Sequence, residues 1–203
     1  MIRLFGLLFV FISCSVSSNT LLILGDSLSA GYQMEIEQSW PSLLPEQLQK
    51  QGYDYRVINA SISGDTTGNG LARLPKLLEQ HQPQWVLIAL GGNDGLRGFP
   101  APIVTKNIHQ MITLIQQMGS KAMLMQAKAP PNYGQRYVQS FEQVFPQAAK
   151  QFNIPLLPFF LEQIITKSEW MRNDGIHPNE KAQPWIANTM AVQLAKHLTP
   201  SNE

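Results

Sequence analysis

Unbroken apolar runs and amphipathic, leucine-bearing stretches alternate along this chain. Thr20-Leu21-Leu22-Ile23-Leu24-Gly25 is apolar and partly β-branched up to its glycine, the pattern of a strand covered on both faces. A helix opens at Ser39-Trp40-Pro41, with serine as N-cap and proline in the first turn; Leu43, Leu44 and Leu48 form its apolar face and Gly52 stops it. Residues 55–60 predict a second strand that runs into a polar turn over 61–67, and Leu71, Leu74, Leu77 and Leu78 then recur at helical spacing. Residues 85–90 are the most buried-looking strand, ending at Gly91-Gly92-Asn93-Asp94-Gly95. Ile108, Met111, Ile112 and Ile115 give a helix over 103–118 its inner face. A strand over 122–125, a helix over 137–152, a short strand over 154–157, a loop over 170–178 and a last helix over 179–198 complete the pattern.

Strands separated by helices of this length imply a parallel sheet with helices on both faces. The expected fold class is α/β: a flavodoxin-like three-layer α/β/α arrangement with a five-stranded parallel sheet in the order 2-1-3-4-5. Ligands of such sheets bind beyond the carboxyl ends of the strands at the switch point. Ser27 follows the first strand there, Gly64 the second and Asn93 the third.

Taken alone, Ser27 is a turn residue or a helix N-cap. A nucleophilic serine needs a general base and a group to orient it. His81, His109 and His197 lie in or at the ends of predicted helices. His177 instead lies in Asp174-Gly175-Ile176-His177-Pro178, irregular backbone in which Asp174 is close enough in sequence to reach the imidazole. An Asx-turn before a helix start is the competing reading of that segment. The backbone amides of Ser27 and Gly64 and the side-chain amide of Asn93 are candidate oxyanion donors, although a turn glycine and an Asn-Asp-Gly turn explain the last two equally well. Gly95-Leu96-Arg97-Gly98-Phe99 brackets apolar residues with glycines, which predicts either an ordinary connection or a mobile flap that touches an acyl chain through Leu96 and Phe99.

Composition narrows the classes. The chain has 203 residues, 44% apolar and 14% charged, with a net charge of +1. That fits one domain with a full core, and no basic run interleaved with aromatics points to nucleic acid. The amino terminus reads as a secretory signal peptide: Arg3, an apolar core from residue 4 to 12, and a small-residue tail. Cleavage after Ser17 or Ser18 divides the chain into a leader, 1–17, and a single domain, 18–203. Cys14, the one cysteine, leaves lipid attachment open as an alternative, which the bulky Phe11 fits poorly. An exported domain of this size needs no disulfide.

Four segments in order resemble the blocks of the GDSL-type, or SGNH, hydrolases: Gly25-Asp26-Ser27-Leu28-Ser29, Ser63-Gly64-Asp65-Thr66, Gly91-Gly92-Asn93-Asp94, and Asp174-Gly175-Ile176-His177-Pro178. The resemblance extends over essentially the whole mature chain to a periplasmic, multifunctional subgroup with thioesterase, lysophospholipase and arylesterase activity. It implies Ser27 as nucleophile, His177 as base, Asp174 as its support, and Ser27, Gly64 and Asn93 as the oxyanion hole. It further implies acyl ester, thioester or lysophospholipid substrates, no metal or cofactor, at most transient membrane contact, and periplasmic export, with a secreted or Cys14-anchored form as the alternatives. Asp26, Leu96, Phe99, Ala129, Pro130 and Ile176 are the candidate substrate contacts; the Lys128-Ala129-Pro130-Pro131 segment departs from the subgroup. A monomer is the default expectation. Carbohydrate O-acetylesterase, non-catalytic lipid carrier and flavodoxin-like nucleotide binder remain as other readings. The first block lacks the second glycine of a Gly-x-Ser-x-Gly elbow, so the layout differs from the α/β-hydrolase one.

Overall fold

In the computed structural model, which describes residues 19–200, the first strand is the axis of the molecule. β1 (Thr20–Gly25) is buried at every position. After it come α1 (Ser27–Ala30), α2 (Trp40–Gln49), β2 (Arg56–Asn59), α3 (Thr67–His81), β3 (Trp85–Ala89), α4 (Gly92–Leu96), α5 (Ala101–Gln117) and β4 (Lys121–Met125). The chain continues through α6 (Gln135–Glu142), α7 (Val144–Phe152), β5 (Leu156–Leu157) and α8 (Gln183–Ala195). The five strands are parallel and ordered β2-β1-β3-β4-β5, as the alternating pattern predicts. The expected leader over 1–17, with Cys14, lies outside the described residues.

Side chains alternate across the sheet, as the two-residue repeat of a strand dictates. Leu21, Ile23, Leu87 and Met123 face one layer, where Trp40, Leu44 and Leu48 of α2 meet Ile186, Met190 and Leu194 of α8. Leu22, Leu24, Val86 and Ile88 face the other, built from Leu74 and Leu78 of α3, Ile108 and Ile112 of α5, and Phe145 of α7.

Three predicted boundaries shift for identifiable reasons. The single helix expected over 137–152 is two, separated at Gln143, because Pro146 lacks an N–H and its ring crowds the carbonyl four residues back. The fifth strand shortens to two residues because Pro155 cannot donate to the ladder, although its carbonyl accepts the amide of Leu124 at 2.9 Å. The last helix begins at Gln183, after a 3-10 turn capped by the Asn179 side chain.

Trp40 ties the α2 layer to the start of the chain. It is fully buried, its indole N–H donates to the carbonyl of Leu28 at 3.1 Å, and its backbone N–H donates to Gln183 Oε1 at 2.9 Å. Trp40→Ala is expected to lower the free energy of unfolding by about 3–5 kcal/mol, measured by denaturant titration, with the m-value unchanged.

Candidate active site

The position of Ser27 is set by the end of β1. A Cβ on Gly25 would lie 2.7 Å from Ser61 Oγ, so any other residue there would push aside a side chain in the loop after β2. Asp26 then caps α1, accepting the Leu28 amide on Oδ1 at 3.0 Å. Ser27 is therefore the first residue of α1 and not its N-cap.

The loop over 170–178 folds back on itself. Met171 and Pro178 form an antiparallel bridge, the Arg172 amide donates to the carbonyl of His177 at 2.8 Å, and the Asn179 amide donates to that of Trp170 at 2.8 Å. Within this closed turn Gly175 takes φ +68°, a conformation that favours glycine. Asp174 Oδ1 accepts the backbone amides of Ile176 and His177, both at 2.9 Å, and Oδ2 lies 2.8 Å from His177 Nδ1. On the far side of the ring, Nε2 lies 2.8 Å from Ser27 Oγ. The Asx-turn contacts and the contact with the imidazole thus coexist, one set on each carboxylate oxygen.

The backbone N–H of His177, helped by that of Ile176 and by the imidazole, holds the Asp174 carboxyl at about 2, below the usual range. Ionised, Asp174 only accepts hydrogen bonds, so Nδ1 carries the imidazole proton and Nε2 is left to accept from the Ser27 hydroxyl. Tyr32 stacks on the imidazole, with ring centroids 4.1 Å apart and 28° between planes.

Gly64 and Asn93 reach the same rim. Gly64 takes φ +85°, and its carbonyl accepts from the Arg97 guanidinium at 3.0 Å. Asn93 lies on the first turn of α4, where an irregular turn was expected. One N–H of its side-chain amide donates to the carbonyl of Asp65 at 2.9 Å, and the amide has a second N–H to offer. The neighbouring Asp94 is fully buried and accepts from the Thr67 amide at 2.8 Å and the Thr67 hydroxyl at 2.6 Å, which fixes α4 against the amino terminus of α3.

A groove of about 550 Å³ opens beside these groups. Ser27, Gly64, Asn93 and His177 border it, and Asp26, Leu96, Ala129, Pro130 and Ile176 line it. Phe99 does not: its side chain packs against the core layer below α5, and its carbonyl accepts from Tyr137 Oη at 2.9 Å. Residues 92–96, which include the first two residues of the segment read as a possible flap, are helical, and Tyr133 Oη donates to the carbonyl of Leu96 at 2.8 Å. The opposite wall, Phe159, Leu161, Glu162 and Ile165, comes from the irregular segment after β5, and a Lys128–Glu162 ion pair joins the two walls. Sequence reasoning missed this wall and the Tyr32 stack. Neither carries a periodic or motif signal; only the loop's position after a predicted strand hints at a role. Among the described residues no group of three or more His, Cys, Asp or Glu side chains is gathered to hold a metal ion.

Asp26 contrasts with Asp174. It is nearly fully buried, and burial, reinforced by the charge of Asp94, raises its carboxyl to about 6. The folded state therefore keeps a proton that the unfolded chain has lost, and stability falls as pH rises from 3.8 through about 6. Asp26→Asn removes this dependence. Its stability relative to wild type is expected to rise by on the order of 3 kcal/mol between pH 4 and pH 7, measured by urea melts across that window.

Comparison with known proteins agrees with this geometry. The model of the GDSL-like Lipase/Acylhydrolase family matches residues 23–183. The chain is 58% identical over 200 residues to an arylesterase of Vibrio mimicus, covering 98% of this chain and 100% of that one. It is 52% identical over 180 residues to the thioesterase 1/protease 1/lysophospholipase L1 of Escherichia coli K12, covering 89% of this chain and 85% of that protein. Among solved structures, the psychrotrophic esterase EstA from Pseudoalteromonas sp., inhibited by monoethylphosphonate, superimposes with a TM-score of 0.85 at 45% identity, over 88% of this chain and 98% of that one. Fold, site geometry and relatives converge: the chain belongs to the GDSL-like lipase/acylhydrolase family of hydrolytic enzymes.

Proposed function

We propose that Ser27, His177 and Asp174 are the catalytic triad of an esterase that cleaves acyl thioesters, lysophospholipids and aryl or fatty acyl esters through an acyl-enzyme. The observation that carries the reading is the continuous relay from Asp174 Oδ2 to His177 Nδ1 and from His177 Nε2 to Ser27 Oγ, each step 2.8 Å. His177 Nε2 takes the hydroxyl proton as Ser27 Oγ attacks the acyl carbonyl. Ionised Asp174 stabilises the imidazolium that forms and holds the ring in the tautomer that can accept. The amides of Ser27 and Gly64 and the side chain of Asn93 receive the developing oxyanion. His177 then protonates the leaving thiol or alcohol, and a water activated by the same nitrogen releases the acid.

The groove supports the substrate class. Ala129, Pro130, Leu161 and Ile165 offer an apolar channel, suited to an acyl chain rather than a sugar ring. The relatives' names include arylesterase, thioesterase and lysophospholipase, and these are the bonds we assign. Residues 1–17 carry the pattern of an export signal, which supports action in the periplasm.

Hydrolysis of p-nitrophenyl esters of increasing chain length, beside acyl-CoA and lysophospholipid, tests this directly. Wild type is expected to prefer esters longer than acetate, and Ser27→Ala to lose both turnover and labelling by a fluorophosphonate. Asn93→Ala is expected to keep its fold and to lose about 10²–10³ in kcat. Acetate as the best substrate would contradict the acyl-groove assignment, and continued labelling of Ser27→Ala would contradict the nucleophile.

A further inference from the structure

We infer that Arg73 is a positioning residue that sets the register of the three oxyanion donors; the inference rests on the catalytic assignment proposed above. Arg73 lies on the second turn of α3, and its guanidinium faces inward, with the side chain only 21% exposed. It has three acceptors, one at the end of β1 and two in the connection between β2 and α3. Nε donates to Asp65 Oδ2 at 2.8 Å, Nη1 to the carbonyl of Ala60, and Nη2 to the carbonyl of Gly25 at 3.4 Å.

Two of the acceptors are a short step from donors of the oxyanion hole, and the third braces the strand ends beside them. Gly25 ends β1 two residues before Ser27. Asp65 adjoins Gly64, and its carbonyl accepts the Asn93 side-chain amide at 2.9 Å. Ala60 follows β2 directly and donates its amide to the carbonyl of Ile23 at 2.9 Å, which continues the β1–β2 ladder to the rim. The Gly25 carbonyl also accepts the Ile62 amide at 3.1 Å. One planar guanidinium thus joins the end of β1, the end of β2 and the residue that orients Asn93. The same helix holds Asp94, next to Asn93, through Thr67.

The task suits arginine and not lysine. Five N–H donors in a rigid fork can serve three acceptors in fixed directions, whereas an ammonium on a flexible stem concentrates on the carboxylate. An oxyanion hole acts through preorganised donors aimed at a position occupied only in the transition state. Loosening its frame is therefore expected to reduce kcat while leaving ground-state binding in the groove intact. None of the three contacts touches the groove walls that hold an acyl chain.

A double-mutant cycle tests this. With p-nitrophenyl butyrate, Arg73→Met is expected to lower kcat roughly 10- to 100-fold and to change KM by less than about 2-fold. In an Asn93→Ala background the same substitution is expected to cost distinctly less than in wild type, because one of the three donors it positions is gone. Arg73→Lys is expected to rescue thermal stability but not kcat, and it carries the same cycle if Arg73→Met does not fold. Equal losses from the Arg73 substitution in the two backgrounds would overturn this inference alone and make Arg73 merely structural. Wild-type turnover in Arg73→Met would do the same. An Asn93→Ala enzyme as fast as wild type would overturn the inference together with the oxyanion assignment, while Ser27→Ala would still report on the nucleophile.

Discussion

The 2.8 Å contact between His177 Nε2 and Ser27 Oγ joins residues 150 positions apart, and the rest of the molecule can be understood as what makes it hold. Neither partner sits on a long, rigid element. Ser27 rides on a four-residue helix that depends on the Asp26 cap, and His177 on a nine-residue loop that depends on its own cross-loop hydrogen bonds. What rigidifies them is their attachment: β1 is an interior strand paired with β2 and β3, and α8, which follows the loop, packs on α2. Trp40 closes the circuit, bonded at one end to the helix of Ser27 and at the other to the start of α8.

The two carboxylates flanking Ser27 show how environment sets charge within one site. Asp174 is edged with backbone N–H groups and stays ionised far below neutrality, which its work beside the imidazole requires. Asp26 has one such donor and a buried setting, and its carboxyl rises to about 6. An unneutralised charge beside Ser27 costs the fold stability at neutral pH. The site tolerates that cost because the cap holds the nucleophile at the head of α1.

Much of this was legible in the chain. The five apolar runs separated by leucine-bearing helices specify the parallel sheet, and the polar segments after the first three strands mark the rim where Ser27, Gly64 and Asn93 meet. His177 was separable from the other histidines by the glycine and proline around it. Proline chemistry at Pro146 and Pro155 moved element boundaries without moving any site residue. What could not be read were contacts between segments distant in sequence and without pattern. Phe99, just after Gly98, carried no core signal, yet it packs against the core while Tyr133 and Tyr137 bond the carbonyls of Leu96 and Phe99. Leu161 and Ile165 look like any loop apolar residues until β5 is seen to place them across from Ala129 and Pro130. Arg73 carries no signal in the sequence because its three acceptors are two backbone carbonyls and one carboxylate that only the folded rim gathers.

The central claim is that a transition-state oxygen attached to Ser27 meets three donors that the folded rim has already aligned. A crystal structure of this protein after reaction with an alkyl phosphonate tests it most directly. The account predicts phosphorus bonded to Ser27 Oγ, and one phosphonyl oxygen within about 2.7–3.1 Å of the amides of Ser27 and Gly64 and of Asn93 Nδ2. Phosphorus on another residue, or that oxygen turned away from these donors toward solvent, would contradict it.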